Sequence, residues 1–312
     1  MGSHGILFIK FSAHFNLWRI LIQRLETVVT NWVIWVVLLA ALMHAFWNSL
    51  ISHASDKSLF TMALHVCSAA LAVPLLWVVG WPSEASYPHL LASILLHGLY
   101  IYVLTKVYTH SAFGPAYILM RGTAPLFVLL ISLLTLGESF DMPAFAGLLC
   151  LSLGILFLLR TYVTPQTKLS SQIQGNHLQF ALLNAAVIAA YTVVDGAGAR
   201  LSGNPIAYVL ASAVFEPILV YALAFRQQTK ALWQFSKHNA GLIVLGSTIS
   251  ITGYSMVLWA MTVSPIALVS ALRETSVVFA MLISIFWFKE GRFAPAATSS
   301  LLVLIGVYCL KA

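Results

Sequence analysis

Charge is what this sequence has least of. Only 8% of its 312 residues are Asp, Glu, Lys or Arg, against roughly a quarter in soluble domains. Acidic residues are the rarer kind, nine against sixteen Lys and Arg. A chain of this length could not cover a water-facing surface with so few charges, so soluble classes are excluded. The net charge of +7 is spread among loops. No basic run of the kind that grips nucleic acid is present, and its natural reading is loops facing anionic lipid. Cysteine is scarce as well: Cys67, Cys150 and Cys309 sit inside apolar stretches at unrelated spacings, which suggests neither a disulfide framework nor a metal site. Also missing are the GxxxxGK[ST] phosphate loop, HExxH and GxSxG, so direct ATP drive and the familiar hydrolytic chemistries are not indicated. No cofactor is expected.

Long apolar runs are what the chain does have, with 60% of its residues hydrophobic. A bilayer span needs about 20 mostly apolar residues. Ten such stretches can be drawn, near 32–50, 59–79, 89–109, 115–136, 143–159, 178–198, 205–225, 239–261, 265–288 and 295–310. The expected fold is an all-α polytopic membrane protein. Residues 1–30 read as an amino-terminal tail without a signal-peptide cleavage pattern, although Phe8 to Ile22 could lie along the interface as an amphipathic helix. Residues 31–160 and 178–312 form two five-helix units, joined by the polar linker 161–177.

One stretch occurs twice. Arg121 to Glu138 reads RGTAPLFVLLISLLTLGE, and Arg273 to Glu290 reads RETSVVFAMLISIFWFKE, with seven of eighteen positions identical. The offset of 152 carries outward, pairing Tyr102 with Tyr254, Ala144 with Ala296, Leu149 with Leu301 and Gly154 with Gly306. An echo of such long period marks two copies of one unit. Each unit has an odd number of spans, so the second should lie upside down relative to the first. Inverted repeats of this kind place a solute site between the halves, around a central cavity near the bilayer midplane.

Ionisable groups at membrane depth are costly, which makes each a candidate for function. Glu216, followed by Pro217, is the candidate proton-coupling carboxylate; its alternative is to bond the carbonyl that Pro217 leaves without a donor. Arg121 and Arg273 open the two copies and would clamp a substrate carboxylate or phosphate, or else form structural pairs with Glu274 or Asp195. Glu274 breaks the symmetry, because Gly122 is its counterpart, and only Arg273 has an acidic neighbour in sequence. His44, Trp47 and Asn48 share one face of the first span. Tyr191 and Asp195 are four apart on the sixth, Tyr100, Tyr102 and Lys106 lie on the third, and Tyr254 and Trp259 on the eighth. Together they could line a cavity for an organic solute or an ammonium group; the bland alternatives are interfacial belts and an Asp195–Arg200 pair at the mouth. Glu138 and Glu290 are expected to accept bonds from the free N–H groups of the next helix.

An apolar helix ending in Gly-Glu or Lys-Glu, given twice in a ten-span chain, resembles the EamA-type branch of the drug/metabolite transporter superfamily. HAFWN (44–48), YTHSAFGPAYILMRGTAPL (108–126), AYTVVDGAGARLSG (190–203) and SPIALVSALRETSV (264–277) are similar to a bacterial subgroup of it. The resemblance implies two inverted five-helix bundles that move small metabolites by alternating access, with both termini cytoplasmic. The second half's Lys and Arg, mostly at 160–168, 226–237 and 289–292, imply the opposite. The three positive charges of the tail side with the resemblance.

The expected function is a secondary transporter for a small polar or amphipathic metabolite, amino-acid-like or otherwise, in the bacterial inner membrane, driven by protons or by the solute's own gradient. The alternative within transport is an anion exchanger for phosphorylated or nucleotide-linked sugars, using Lys106, Arg121 and Arg273 as a cage. An intramembrane enzyme is the reading from another class, disfavoured because the carboxylates are isolated along the chain. The expected partners are a small-molecule solute and membrane lipids, with a homodimer compatible with the sequence and nucleic acid not expected.

Overall fold

A bilayer interior offers the backbone no water to bond, so an apolar chain must satisfy its own N–H and C=O groups, which helices do. The computed structural model describes residues 32–110, 113–161, 176–286 and 293–311, and every regular element among them is helical. In the first half these are α1 (Trp32–His53), α2 (Lys57–Val79), α3 (Tyr87–His110), α4 (Phe113–Ile131) and α5 (Met142–Phe157). In the second half they are α6 (Asn176–Leu201), α7 (Pro205–Val220), α8 (Thr229–His238), α9 (Ala240–Val263), α10 (Ile266–Arg273), α11 (Ser276–Phe286) and α12 (Phe293–Lys311). The amino-terminal tail, the polar linker from 162 to 175 and Glu290 lie outside the described residues.

Local sequence sets the ends of these helices. Asp56 caps α2 by accepting from Leu59 N, Asp141 caps α5 by accepting from Ala144 N, and Asn204 caps α7 by accepting from Ile206 and Ala207. A short polar side chain at that position satisfies N–H groups that the first turn leaves unpaired.

Among the described residues eight helices are long and apolar enough to cross a membrane, and the apolar helices Pro205–Val220 and Thr298–Leu310, on two further expected spans, are shorter. The seventh expected span is shortened because, beyond Pro217, α7 gives way to a π-turn at Tyr221–Phe225. The second copy of the repeated stretch differs from the first in the same spirit. Helix α4 runs unbroken past Arg121 and Gly122, whereas its counterpart is cut between α10 and α11 at Glu274 and Thr275. Helix α8 was not foreseen as an element at all.

The two halves interleave. Helix α5 packs along α12, α3 and α4 pack on α6, and α2 packs on α7. Ser299 Oγ donates to Gly154 O at 2.6 Å across the α5–α12 seam, and Ser247 Oγ to Leu64 O at 2.9 Å between α9 and α2. These bonds, with buried Val128, Leu151, Ile155, Leu210, Leu258 and Met261 between them, hold helices that apolar burial alone would not bring together in lipid.

Candidate functional site

The repeated stretches bring their charges to one buried cluster. Arg121 Nη1 donates to Glu274 Oε1 at 3.1 Å and Oε2 at 3.3 Å, and Arg273 Nη2 donates to the same Oε1 at 3.2 Å. Glu274 is fully buried and both guanidiniums nearly so. The second nitrogen of Arg121 meets His44 Nε2 at 3.1 Å; arginine can only donate, so the imidazole nitrogen accepts. The Arg121 guanidinium also lies 5.5 Å from the Tyr117 ring centre, and His44 packs edge-on to Trp47 at 5.0 Å. Two guanidiniums share one carboxylate here, and Arg273 Nε is buried with no hydrogen-bond partner among the described residues.

Space decides why the acid comes from the second half. A Cβ at Gly122 would fall 2.7 Å from Leu156 Cγ, so a side chain there would have to displace Leu156. At the equivalent place in the second half the helix breaks, and Glu274 turns back across the bundle to Arg121.

A second cluster has the opposite sign. Asp195, wholly buried on α6, accepts from the Tyr208 hydroxyl at 3.2 Å and from the Tyr254 hydroxyl. Gly198 makes the first bond reachable, because a Cβ there would lie 2.6 Å from the Tyr208 ring. On the same helix Tyr191 is stacked by His97 with ring centres 4.3 Å apart and met edge-on by Tyr100 at 5.9 Å. His97 Nδ1 is 2.9 Å from Ser93 O, one turn back along α3. Arg273 lies within electrostatic reach of Tyr191 and Tyr254, and His97 within that of Asp195 and Glu216. The two clusters are therefore neighbours, cationic at one end and anionic at the other, with tyrosines between.

Glu216 borders the anionic cluster, within electrostatic reach of His97. Its carboxylate is 3.8 Å from His65 Nδ1 on α2 and 14% exposed. A third constellation closes one mouth of the bundle. Arg200 donates to Glu138 Oε1 at 2.8 Å, to Met261 O at 2.8 Å and to Ser264 O at 3.0 Å. The same Glu138 oxygen accepts the Ile266 N–H at 2.9 Å. Among the described residues, no group of three His, Cys, Asp or Glu side chains is placed to hold a metal ion.

Buried ionisable groups at membrane depth are costly, and residues 177–311 match the EamA-like transporter family. The match spans the second half of the chain. That family is part of the drug/metabolite transporter superfamily, and its members are transporters, not enzymes. No curated protein matches the chain. One solved crystal structure aligns over 89% of this chain and 94% of its own, with a TM-score of 0.65 and 17% identity. At that identity the likeness shows the fold alone.

In this bundle the sequence candidates divide. His44, Trp47, Arg121, Arg273 and Glu274 come together in the cationic cluster, and Tyr191, Asp195 and Tyr254 in the anionic one. Asn48 is placed by its own helix, donating to His44 O at 2.8 Å. Two aromatic residues point elsewhere. Tyr102 is 61% exposed, in line with exposed Leu91, Leu95 and Leu99 on the outer stripe of α3; two residues from inward Tyr100, it falls on the opposite face. Trp259 is likewise outward, on the stripe of α9 that carries Thr252 and Val263. The side chain of Lys106 lies outside the described residues.

Three pairings differ from expectation. Arg121, not only Arg273, has an acidic partner, because Glu274 reaches across the bundle. Asp195 pairs with tyrosines, while Arg200 takes Glu138. Glu138 does accept a helix-opening N–H, but that of α10; the next helix, α5, is capped by its own Asp141. Sequence reading passed over His97, Ser93, Tyr117 and Tyr208. The spacing of Ser93, His97 and Tyr100 along one face of α3 is the signal that could have found the first two.

Proposed function

We propose that the protein is a secondary transporter that moves a small polar organic solute, amino-acid-like in its charges, across the bacterial inner membrane by alternating access. The observation that carries this reading is the Arg121–Glu274–Arg273 cluster. It ties the first half to the second through buried charges that a purely structural bundle in lipid has no need of. Two further points support it. Helices related by the 152-residue offset meet, α5 with α12 and α2 with α7, as two inverted five-helix repeats totalling ten spans would have them. The cationic and anionic clusters are spaced by aromatic rings, a setting for a solute that carries a carboxylate and an ammonium group. Glu216, beside His65, is the candidate for proton coupling.

A second reading, exchange of phosphorylated or nucleotide-linked sugars, draws on the surplus guanidinium at Arg273, which would receive an anionic oxygen. Asp195 opposes it, since a multiply charged anion would meet that carboxylate.

Purified protein in proteoliposomes tests the proposal. Uptake or counterflow of amino acids, amines and organic acids is expected, with Glu216→Gln abolishing the response to an imposed pH gradient. Flux confined to phosphorylated solutes, requiring phosphate on the far side, would favour exchange. A protein that moves nothing across a broad panel would remove the transporter reading altogether.

A further inference from the structure

Helix α8 joins two membrane helices without crossing anything. It is ten residues long, TKALWQFSKH, and strongly amphipathic. Its inner face seats Leu232 and Phe235 against Leu59 and Phe60 in the first turn of α2, with the Phe60 and Phe235 rings edge to face at 6.3 Å. Its start is pinned by the Tyr221 hydroxyl and Thr229 Oγ1, 2.5 Å apart, and by Thr229 Oγ1 donating to Arg226 O at 2.9 Å. The helix is thus held rigidly, and what it turns outward is chemically narrow. Lys230, Trp233 and Lys237 occupy one exposed face at i, i+3 and i+7, with Arg226 exposed just before them. Lys237 Nζ sits 5.0 Å over the Trp233 ring, and that ring is 63% exposed. No acidic residue occurs between Arg226 and His238.

Elsewhere at that mouth cations still outnumber acids, with exposed Asp56, the cap of α2, lying beside Lys57. Helix α8 sits beneath the turn between α1 and α2, where Lys57 is exposed, and α5 ends on that side at exposed Arg160. The opposite mouth, where Ser83 N bonds Ser202 O and Arg200 bonds Glu138, carries Glu84, Glu138 and Asp141 against Arg200 and Lys311. An indole set among ammonium groups at the end of membrane helices belongs at the headgroup level, with the cations at lipid phosphates. A preponderance of Lys and Arg at one mouth belongs on the cytoplasmic side.

We propose that α8 is a binding surface for anionic phospholipid of the cytoplasmic leaflet, with Arg226, Lys230 and Lys237 on the phosphates and Trp233 inserted between headgroups. The mouth carrying α8 is then the cytoplasmic one. This does not depend on which solute is carried.

The test uses the full chain in nanodiscs of mixed phosphatidylcholine and phosphatidylglycerol, with retained lipids counted by native mass spectrometry. The wild type is expected to retain phosphatidylglycerol preferentially, and to lose that preference as salt rises. Joint replacement Arg226→Gln, Lys230→Gln, Lys237→Gln should weaken phosphatidylglycerol retention roughly tenfold, with an unchanged melting temperature, since all three side chains are exposed. Equal retention of the two lipids by the wild type, or undiminished preference in the triple variant, overturns the proposal. If the triple variant does not fold, the salt dependence of the wild type decides. For sidedness, Gln234→Cys in a chain with Cys67, Cys150 and Cys309 changed to Ser should resist a membrane-impermeant maleimide on intact cells and react after permeabilisation. Labelling of intact cells would refute the cytoplasmic assignment.

Discussion

Glu274 Oε1 lies 3.1 Å from Arg121 Nη1 and 3.2 Å from Arg273 Nη2. One carboxylate of the second half thereby holds an arginine from each half. Removing it leaves two buried cations facing each other, and stranding a buried charge costs about 3–5 kcal/mol. Glu274→Gln should therefore lower thermal stability more than any other single neutralisation in the cluster. Arg121→Gln should be worse than Arg273→Gln, because Arg121 makes the two carboxylate contacts and holds His44, whereas Arg273 makes one. A double-mutant cycle of Arg121 and Glu274, read by melting in detergent, checks the coupling; additive losses would contradict it.

Gly122 is a steric requirement. Its missing Cβ would stand 2.7 Å from Leu156 Cγ and 3.3 Å from Leu156 N. Gly122→Ala is expected to destabilise by about 1–3 kcal/mol, the usual cost of overpacking. Leu156→Ala, harmful alone, should relieve part of that loss when combined with it. No relief in the double variant would mean that the backbone contact, rather than the leucine side chain, sets the limit.

The tyrosines should separate by face. Tyr254 donates to buried Asp195, and a hydrogen bond to a charged group is worth about 1.5–3 kcal/mol. Tyr254→Phe should weaken solute binding or flux about tenfold or more, the kinetic equivalent of that energy. Tyr102→Phe, its counterpart in the repeat but turned outward, should leave flux unchanged. Flux assays on the two variants side by side make the comparison.

At the mouth away from α8, Arg200 and Glu138 tie α6, the end of α4 and the α9–α10 connection together. Arg200→Gln should loosen that closure. Cysteines introduced at Ser264 and Gly137 would then react faster with a water-soluble thiol reagent than in the parent background. Unchanged labelling rates would show that the closure does not depend on these bonds.

The sequence made the class of the molecule plain because charge depletion and span length are properties of composition. It also exposed the repeat, and with it Arg121, Arg273 and Glu274 as residues of consequence. What it could not show was partnership. Glu274 is adjacent in the chain to Arg273, yet its stronger claim is on Arg121, 153 positions away. Tyr102 looked equivalent to Tyr254 by offset, but α3 turns one tyrosine out and another, Tyr100, in. Asp195 and Arg200 share one helix and a complementary sign, yet each finds a partner on another element. Short apolar helices were likewise invisible: Pro217 and the π-turn after it divide a stretch that reads as one span, and α8 is too short and too polar for a hydropathy window.

The crowding around Gly122 makes the halves unequal in a way that resemblance conceals. Only the second half can furnish an acid, and only because its helix is cut where the first half's is whole. Two copies of the first half, brought together in place of the native pair, would set arginine against arginine with no carboxylate between, and with Leu156 in the way of one at position 122. The buried cluster thus needs both halves: each brings an arginine, and the second alone brings the acid that holds the two.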